Sequence, residues 1–155
     1  MNNISKLFTT IFNIGFIKYS PGTIGSIFSC FIIYSLYKFT NFYFFFFLFF
    51  IIFILSIYFI KNYIEYNKLN DPKEIIIDEF LGIYLVFLFY DQFDQINTIL
   101  KFILIIVFFR FFDIFKIFPA NIIDIKMKNS LGIILDDIVA AIYTIITLYI
   151  FNEII

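Results

Sequence analysis

The sequence predicts an all-α protein, a polytopic membrane helical bundle with about five membrane-embedded helices plus an N-terminal amphipathic helix. Three observations predict it. Hydrophobic residues make up 63% of the chain, against the roughly 45–50% usual in soluble domains. The length of 155 residues reads as a single membrane-embedded domain. A core that small cannot hide so much apolar surface, so lipid covers the rest. Apolar runs of helical length also recur along the chain, separated by short polar or Pro- and Gly-containing stretches.

The elements follow in order. Residues 4–17, ISKLFTTIFNIGFI, place apolar side chains at 4, 7, 8, 11 and 12. This is helix spacing in a short stretch, which predicts an interfacial amphipathic helix. No small-residue cleavage site follows, which disfavours a cleaved signal peptide. YSPGTIGS at 19–26 reads as a turn into a helix, with Ser20 or Thr23 placed to cap it. Apolar segments then lie at about 24–39, 42–60, 75–90, 98–118 and 132–151. The second, FYFFFFLFFIIFILSIYFI, carries no charge and is the clearest span. The third is short, since sixteen helical residues rise only about 24 Å against roughly 30 Å of hydrocarbon. It therefore starts earlier, near Asp71, or is shielded by protein.

With five spans and a cytoplasmic N-terminus, Lys6, Lys18, Lys61, Lys68, Lys73, Arg110, Lys116, Lys126 and Lys128 fall on or near the cytoplasmic side. Only Lys38 and Lys101 fall outside. That nine-to-two split favours this orientation over its inverse. The net charge of −1 leaves no basic footprint for nucleic acid. The single cysteine, Cys30, sits in an apolar run and reads as a packed thiol. There is no histidine, which removes every mechanism built on imidazole. Nothing in the sequence sets an oligomeric state.

The same topology brings charges to one membrane depth. Asp78 and Glu79 lie near the start of the third segment. Arg110, Asp113 and Lys116 lie near the end of the fourth, and Asp136 and Asp137 near the start of the fifth. The SPGT turn joins them at the start of the first. A carboxylate at mid-helix in lipid costs roughly 2.5–3.5 kcal/mol on insertion scales. Any one such acid near a helix N-terminus is explained by the helix dipole. Five acids with two nearby cations are not explained that way, and hard oxygen ligands in excess suit Mg²⁺. Arg110 and Asp113, three apart, share a helix face and are spaced to pair. Gly82 and Gly132 stand one turn from the acids, where small residues let helices approach closely. Asp124 and Glu65 read as solvated loop charges, and Asp91 and Asp94 as a solvated exterior loop.

Several phosphate chemistries are excluded. A histidine nucleophile has no histidine. A cysteine phosphatase needs Arg six residues after its Cys, and Leu36 stands there. No D-x-D motif is present. Metal activation of water by a carboxylate cluster remains. A transport or channel subunit with an intramembrane acidic cation site is the alternative, and predicts polar groups spread through the bilayer depth. A small structural membrane protein is a third reading, which leaves the charge placement unexplained.

SPGTIGS at 20–26, IIIDEFLG at 75–82, FRFFDIFK at 109–116 and LGIILDDIVAA at 131–141 together resemble the four signature blocks of the phosphatidylglycerophosphatase A family, in order and spacing. The sequence departs from that pattern at Ile117, where the family usually has proline. It departs again at Asn129 and Ser130, in place of a glycine pair, and at Ala141, in place of glycine. No departure touches a carboxylate. The resemblance implies a Mg²⁺-dependent phosphatase of the bacterial cytoplasmic membrane, with its active site on the cytoplasmic side. It would convert phosphatidylglycerophosphate to phosphatidylglycerol and phosphate in phospholipid synthesis. On this reading Asp78, Glu79, Asp136 and Asp137 hold Mg²⁺ and position a water. Asp113 completes the metal site or orients Arg110. Arg110, Lys116 and Thr23 bind the phosphate.

Overall fold

The computed structural model describes residues 3–68 and 72–155, and among them every regular element is helical. Seven α-helices follow in order: α1 (Asn3–Thr9), α2 (Pro21–Phe39), α3 (Phe42–Asn67), α4 (Ile77–Phe87), α5 (Thr98–Phe115), α6 (Ala120–Lys126) and α7 (Ser130–Ile154).

The predicted amphipathic helix over 4–17 breaks after α1. Ile11, Phe12 and Asn13 all take positive φ, and a 3₁₀ turn covers Ile14–Phe16. Local hydrogen bonds supply the reason. The Thr10 hydroxyl donates to the Lys6 carbonyl at 2.7 Å and accepts from the Asn13 N–H at 3.1 Å, which favours a turn over a continuing helix. The reversal docks against the segment before α4. The Ile76 N–H donates to the Thr9 carbonyl at 3.0 Å, and Gly15 lies so close to the Glu74 carbonyl that a Cβ there would overlap it.

Among the described residues, three helices are long and apolar enough to cross a membrane: α2, α3 and α7. The count of about five is thus not reached by length and composition. α3 has 26 residues, a rise of about 39 Å, and runs past its expected end at residue 60. Its buried residues are Phe45, Phe49, Ser56, Ile60 and Tyr63, one stripe at helical spacing. Phe44, Phe47, Ile51 and Ile54 are exposed on its other sides, as a lipid-facing helix requires. In α2 the buried face is Gly25, Ser26, Ser29, Cys30 and Ile33, a stripe of small residues against the bundle. Cys30 is fully buried, as a packed thiol should be.

α4 has only eleven residues and rises about 16 Å, half of a hydrocarbon layer. A start near Asp71 lies outside the described residues, but 72–76 are not helical. Nine of its eleven residues are buried, chiefly by α7 and α2, so protein shields it. Gly82 makes the packing possible. A Cβ there would lie 2.5 Å from the Phe109 ring of α5 and 3.1 Å from the Asp137 carbonyl of α7. α5, with 18 residues, carries Lys101, Arg110 and Asp113 and buries Lys101, Ile105 and Phe109.

Asparagines start the long helices. Asn41, Asn97 and Asn129 accept from the N–H groups of Phe44, Leu100 and Gly132 at 2.8, 3.0 and 2.9 Å. Ser20 does precede α2, but it sits at φ 43° and makes no capping bond, and Pro21 begins the helix instead. Lys38 and Lys101, expected on the far side, lie among Tyr34, Tyr37 and Tyr90. Asp91, exposed as expected, accepts from the Tyr37 hydroxyl.

Gly82→Leu should destabilise the bundle by about 1–3 kcal/mol through overpacking at the α4–α5–α7 junction. Thermal unfolding in detergent checks this; an unchanged midpoint would contradict the close approach.

Candidate active site

The starts of α2, α4 and α7, the end of α5 and the short α6 converge on one cavity of about 400 Å³. Thr23, Asp78, Glu79, Arg110, Asp113, Lys116, Asp136 and Asp137 all line it. The sequence expectation that distant segments meet is therefore met for all eight side chains.

Two ion-pair groups organise the walls. Arg110 Nη1 lies 2.8 Å from Glu79 Oε1 and 2.7 Å from Asp113 Oδ2, so one guanidinium ties α4 to α5. Asp113 thus pairs with Arg110 across one turn of α5, as their three-residue spacing allows. The second group centres on Lys116, whose Nζ pairs with Asp136 and lies 2.9 Å from Asp124 Oδ1. Lys116 itself takes φ 40° at the end of α5, where the chain turns toward α6. Lys128 Nζ lies 3.6 Å from the same Asp124 oxygen. The hydrogen bond from Lys116 holds the Asp124 carboxyl below its usual range, so α6 is docked through an ionised group at neutral pH.

Two glycines of α2 seat the first group. A Cβ on Gly22 would overlap Glu79 Oε1 and lie 2.8 Å from Arg110 Nη1. One on Gly25 would lie 2.8 Å from Glu79 Oε2. Gly132 plays a different part from the helix–helix contact expected of it: a Cβ there would overlap the Met127 carbonyl, so it admits the chain leaving α6.

Sequence reasoning missed Asp124, read as a solvated loop charge. It missed Lys128 and Lys73 as cavity residues too. The four-residue step from Asp124 to Lys128 was the available signal for a paired helical turn. It also passed over Gly22 and Gly25 as seats, although their spacing in SPGTIGS places both on one helix face.

The family model for phosphatidylglycerophosphatase A matches residues 7–152. The chain belongs to that family. No curated protein and no solved structure matches it. The matched range includes all eight of these side chains.

Six carboxylates (Asp78, Glu79, Asp113, Asp124, Asp136 and Asp137) face four cations (Lys73, Arg110, Lys116 and Lys128) around the cavity. Among the described residues neither Asp78 nor Asp137 forms an ion pair. Glu79 Oε2 is buried with no hydrogen-bond partner there. Hard oxygen donors in surplus are the donor chemistry Mg²⁺ takes. No group of three His, Cys, Asp or Glu among the described residues converges as a ready ligand cage. The set therefore fits an ion held by one or two carboxylates, with water and phosphate oxygens completing its shell.

Arg110→Gln should strand Glu79 and Asp113 and cost about 3 kcal/mol, because both acids lose their counter-charge in a partly buried site. Thermal unfolding of the purified variant measures it, with Arg110→Lys expected to recover part of the loss. Wild-type stability in Arg110→Gln would show that the pairs hold nothing together.

Proposed function

We propose that this protein hydrolyses the terminal phosphate monoester of phosphatidylglycerophosphate, releasing phosphatidylglycerol and inorganic phosphate. The observation that carries the reading is the meeting of the starts of α2, α4 and α7 and the end of α5 around one charged cavity, in a chain that the family model matches over residues 7–152. The basic residues concentrate at the cavity end of the helices. On the positive-inside bias that end faces the cytoplasm of a bacterial cytoplasmic membrane. A cation path through the bilayer would need charged groups along its depth, whereas here the acids of the site sit together at one end of the helices.

Arg110 and Lys116 are assigned to the phosphate. Arg110 Nε is buried and has no acceptor among the described residues, so the guanidinium keeps donor capacity beyond its two carboxylates. Thr23 lines the same wall in the first turn of α2, where helix amides favour an anion. Asp78 and Asp137, the acids without a cation partner among the described residues, are assigned to hold Mg²⁺, while Glu79 and Asp136, also expected as ligands, are engaged by Arg110 and Lys116. When bound, Mg²⁺ supplies positive charge that neutralises the phosphate oxygens.

The reaction then follows the usual course of monoester hydrolysis. A carboxylate of the acid set accepts a proton from a water as its oxygen bonds to phosphorus. The bond between phosphorus and the glycerol oxygen breaks, and the glycerol oxygen takes up the proton that the carboxylate received, which leaves the carboxylate ionised again. Arg110 and Lys116 stabilise the charge that spreads over the transferring group. Arg110 and Lys116 offset part of the cost of holding Glu79, Asp113 and Asp136 charged at this depth, whereas Asp78 and Asp137 have no such partner among the described residues.

The test is phosphate release from phosphatidylglycerophosphate by purified protein. Activity should appear with Mg²⁺ and vanish with chelator. Asp137→Asn should lower turnover about a hundredfold or more while the protein remains in the membrane fraction. No release by wild type under any divalent cation would refute the activity, and near-normal turnover in Asp137→Asn would remove that residue from the site.

A further inference from the structure

A second cavity, of about 410 Å³, opens beside the first and differs from it completely in chemistry. Leu7 and Phe8 of α1, Ile32 of α2, Ile52 of α3, and Ile77 and Phe80 of α4 form its walls, and no charged residue lines it. The two cavities share one helical turn. At the start of α4, Ile77 and Phe80 face the apolar groove while Asp78 and Glu79 face the polar cavity. The α1 wall is fixed to this turn by the hydrogen bond from the Ile76 N–H to the Thr9 carbonyl. The break in the N-terminal segment is what folds Ile11 and Phe12 against the groove while α2 continues to the polar cavity.

An apolar groove at membrane depth is filled by hydrocarbon, since water gains nothing there. A lipid whose phosphate reaches Arg110 and Lys116 must lay its chains close by. An open apolar groove lies on the other face of the same turn. We infer that the groove between α1, α2, α3 and α4 binds one acyl chain of the phosphate-bearing lipid, so that the substrate is held at head and tail on opposite sides of the α4 start. This inference rests on the lipid phosphatase reading given above. It adds a chain-length specificity that the phosphate chemistry alone does not require.

Two arms test it with the full chain in detergent or nanodiscs. In the first, Ile52→Trp and Leu7→Trp fill the groove from two different walls. The ratio of kcat/KM for palmitoyl over hexanoyl phosphatidylglycerophosphate should fall about tenfold in each, mainly through KM, as expected for two lost methylene contacts. A wild-type ratio in both variants overturns the inference. In the second arm, wild-type protein is labelled with phosphatidylglycerophosphate carrying a diazirine in its acyl chain, alongside the same lipid without its terminal phosphate. Preferential labelling of α1 and α3 groove residues by the phosphorylated lipid supports the inference. Equal labelling by both means that ordinary bilayer lipid occupies the groove, and overturns it. Should wild type release no phosphate from either chain length, the activity fails, and the labelling arm still decides the groove.

Discussion

The structure depends on one electrostatic constraint: carboxylates gathered at the end of an apolar bundle must be given counter-charge there. Arg110 and Lys116 meet it from the last turns of α5 and the residue after it. Each binds two acids from different segments, so the pairs act as cross-links as well as neutralisers. Arg110 joins α4 to α5, and Lys116 joins α5 to both α6 and α7. Two acids, Asp78 and Asp137, stay outside these pairs and leave the cavity with more negative than positive charge. On the function proposed above, a divalent cation would supply the positive charge that such a site lacks.

The rest of the architecture serves that meeting point. α3 and the outer faces of α2 and α7 present large apolar side chains to lipid. α4 presents almost nothing to lipid and so is free to be short. Its brevity lets its first turn, with Asp78 and Glu79, sit level with the ends of its neighbours. Glycine makes the approaches close: Gly22 and Gly25 admit Glu79 and Arg110 to α2, and Gly82 admits Phe109 and α7 to α4. Side chains at these positions would push apart the helices that the ion pairs pull together.

Much of this was legible in the sequence. Phe-rich runs without charge can only be covered by lipid, so the helical class and α3 followed from composition and length. The carboxylates of Asp78, Glu79, Asp136 and Asp137 stood out because each is costly in an apolar run, and the Arg110–Asp113 spacing announced a pair that the structure contains. Other features depend on contacts that spacing does not encode. The α1 break comes from Thr10 hydrogen bonds and the docking of Gly15 on Glu74. The short α4 comes from burial by α7 and α2, which no single segment reports. Asp124 looked like loop charge because its partner Lys116 is reached only after the chain reverses through α6. Asn41, Asn97 and Asn129 were available as cap signals at the head of apolar runs.

On the proposed function, the acid surplus around Asp78 and Asp137 is a divalent-cation site. Titration of Mn²⁺, a paramagnetic stand-in for Mg²⁺, into the detergent-solubilised protein measures this directly by electron paramagnetic resonance. Saturable binding is expected, retained in Asp91→Asn, at the opposite end of the helices, and lost when Asp78 and Asp137 are both changed to Asn. Absence of saturable binding in wild type, or undiminished binding in the double variant, would contradict it.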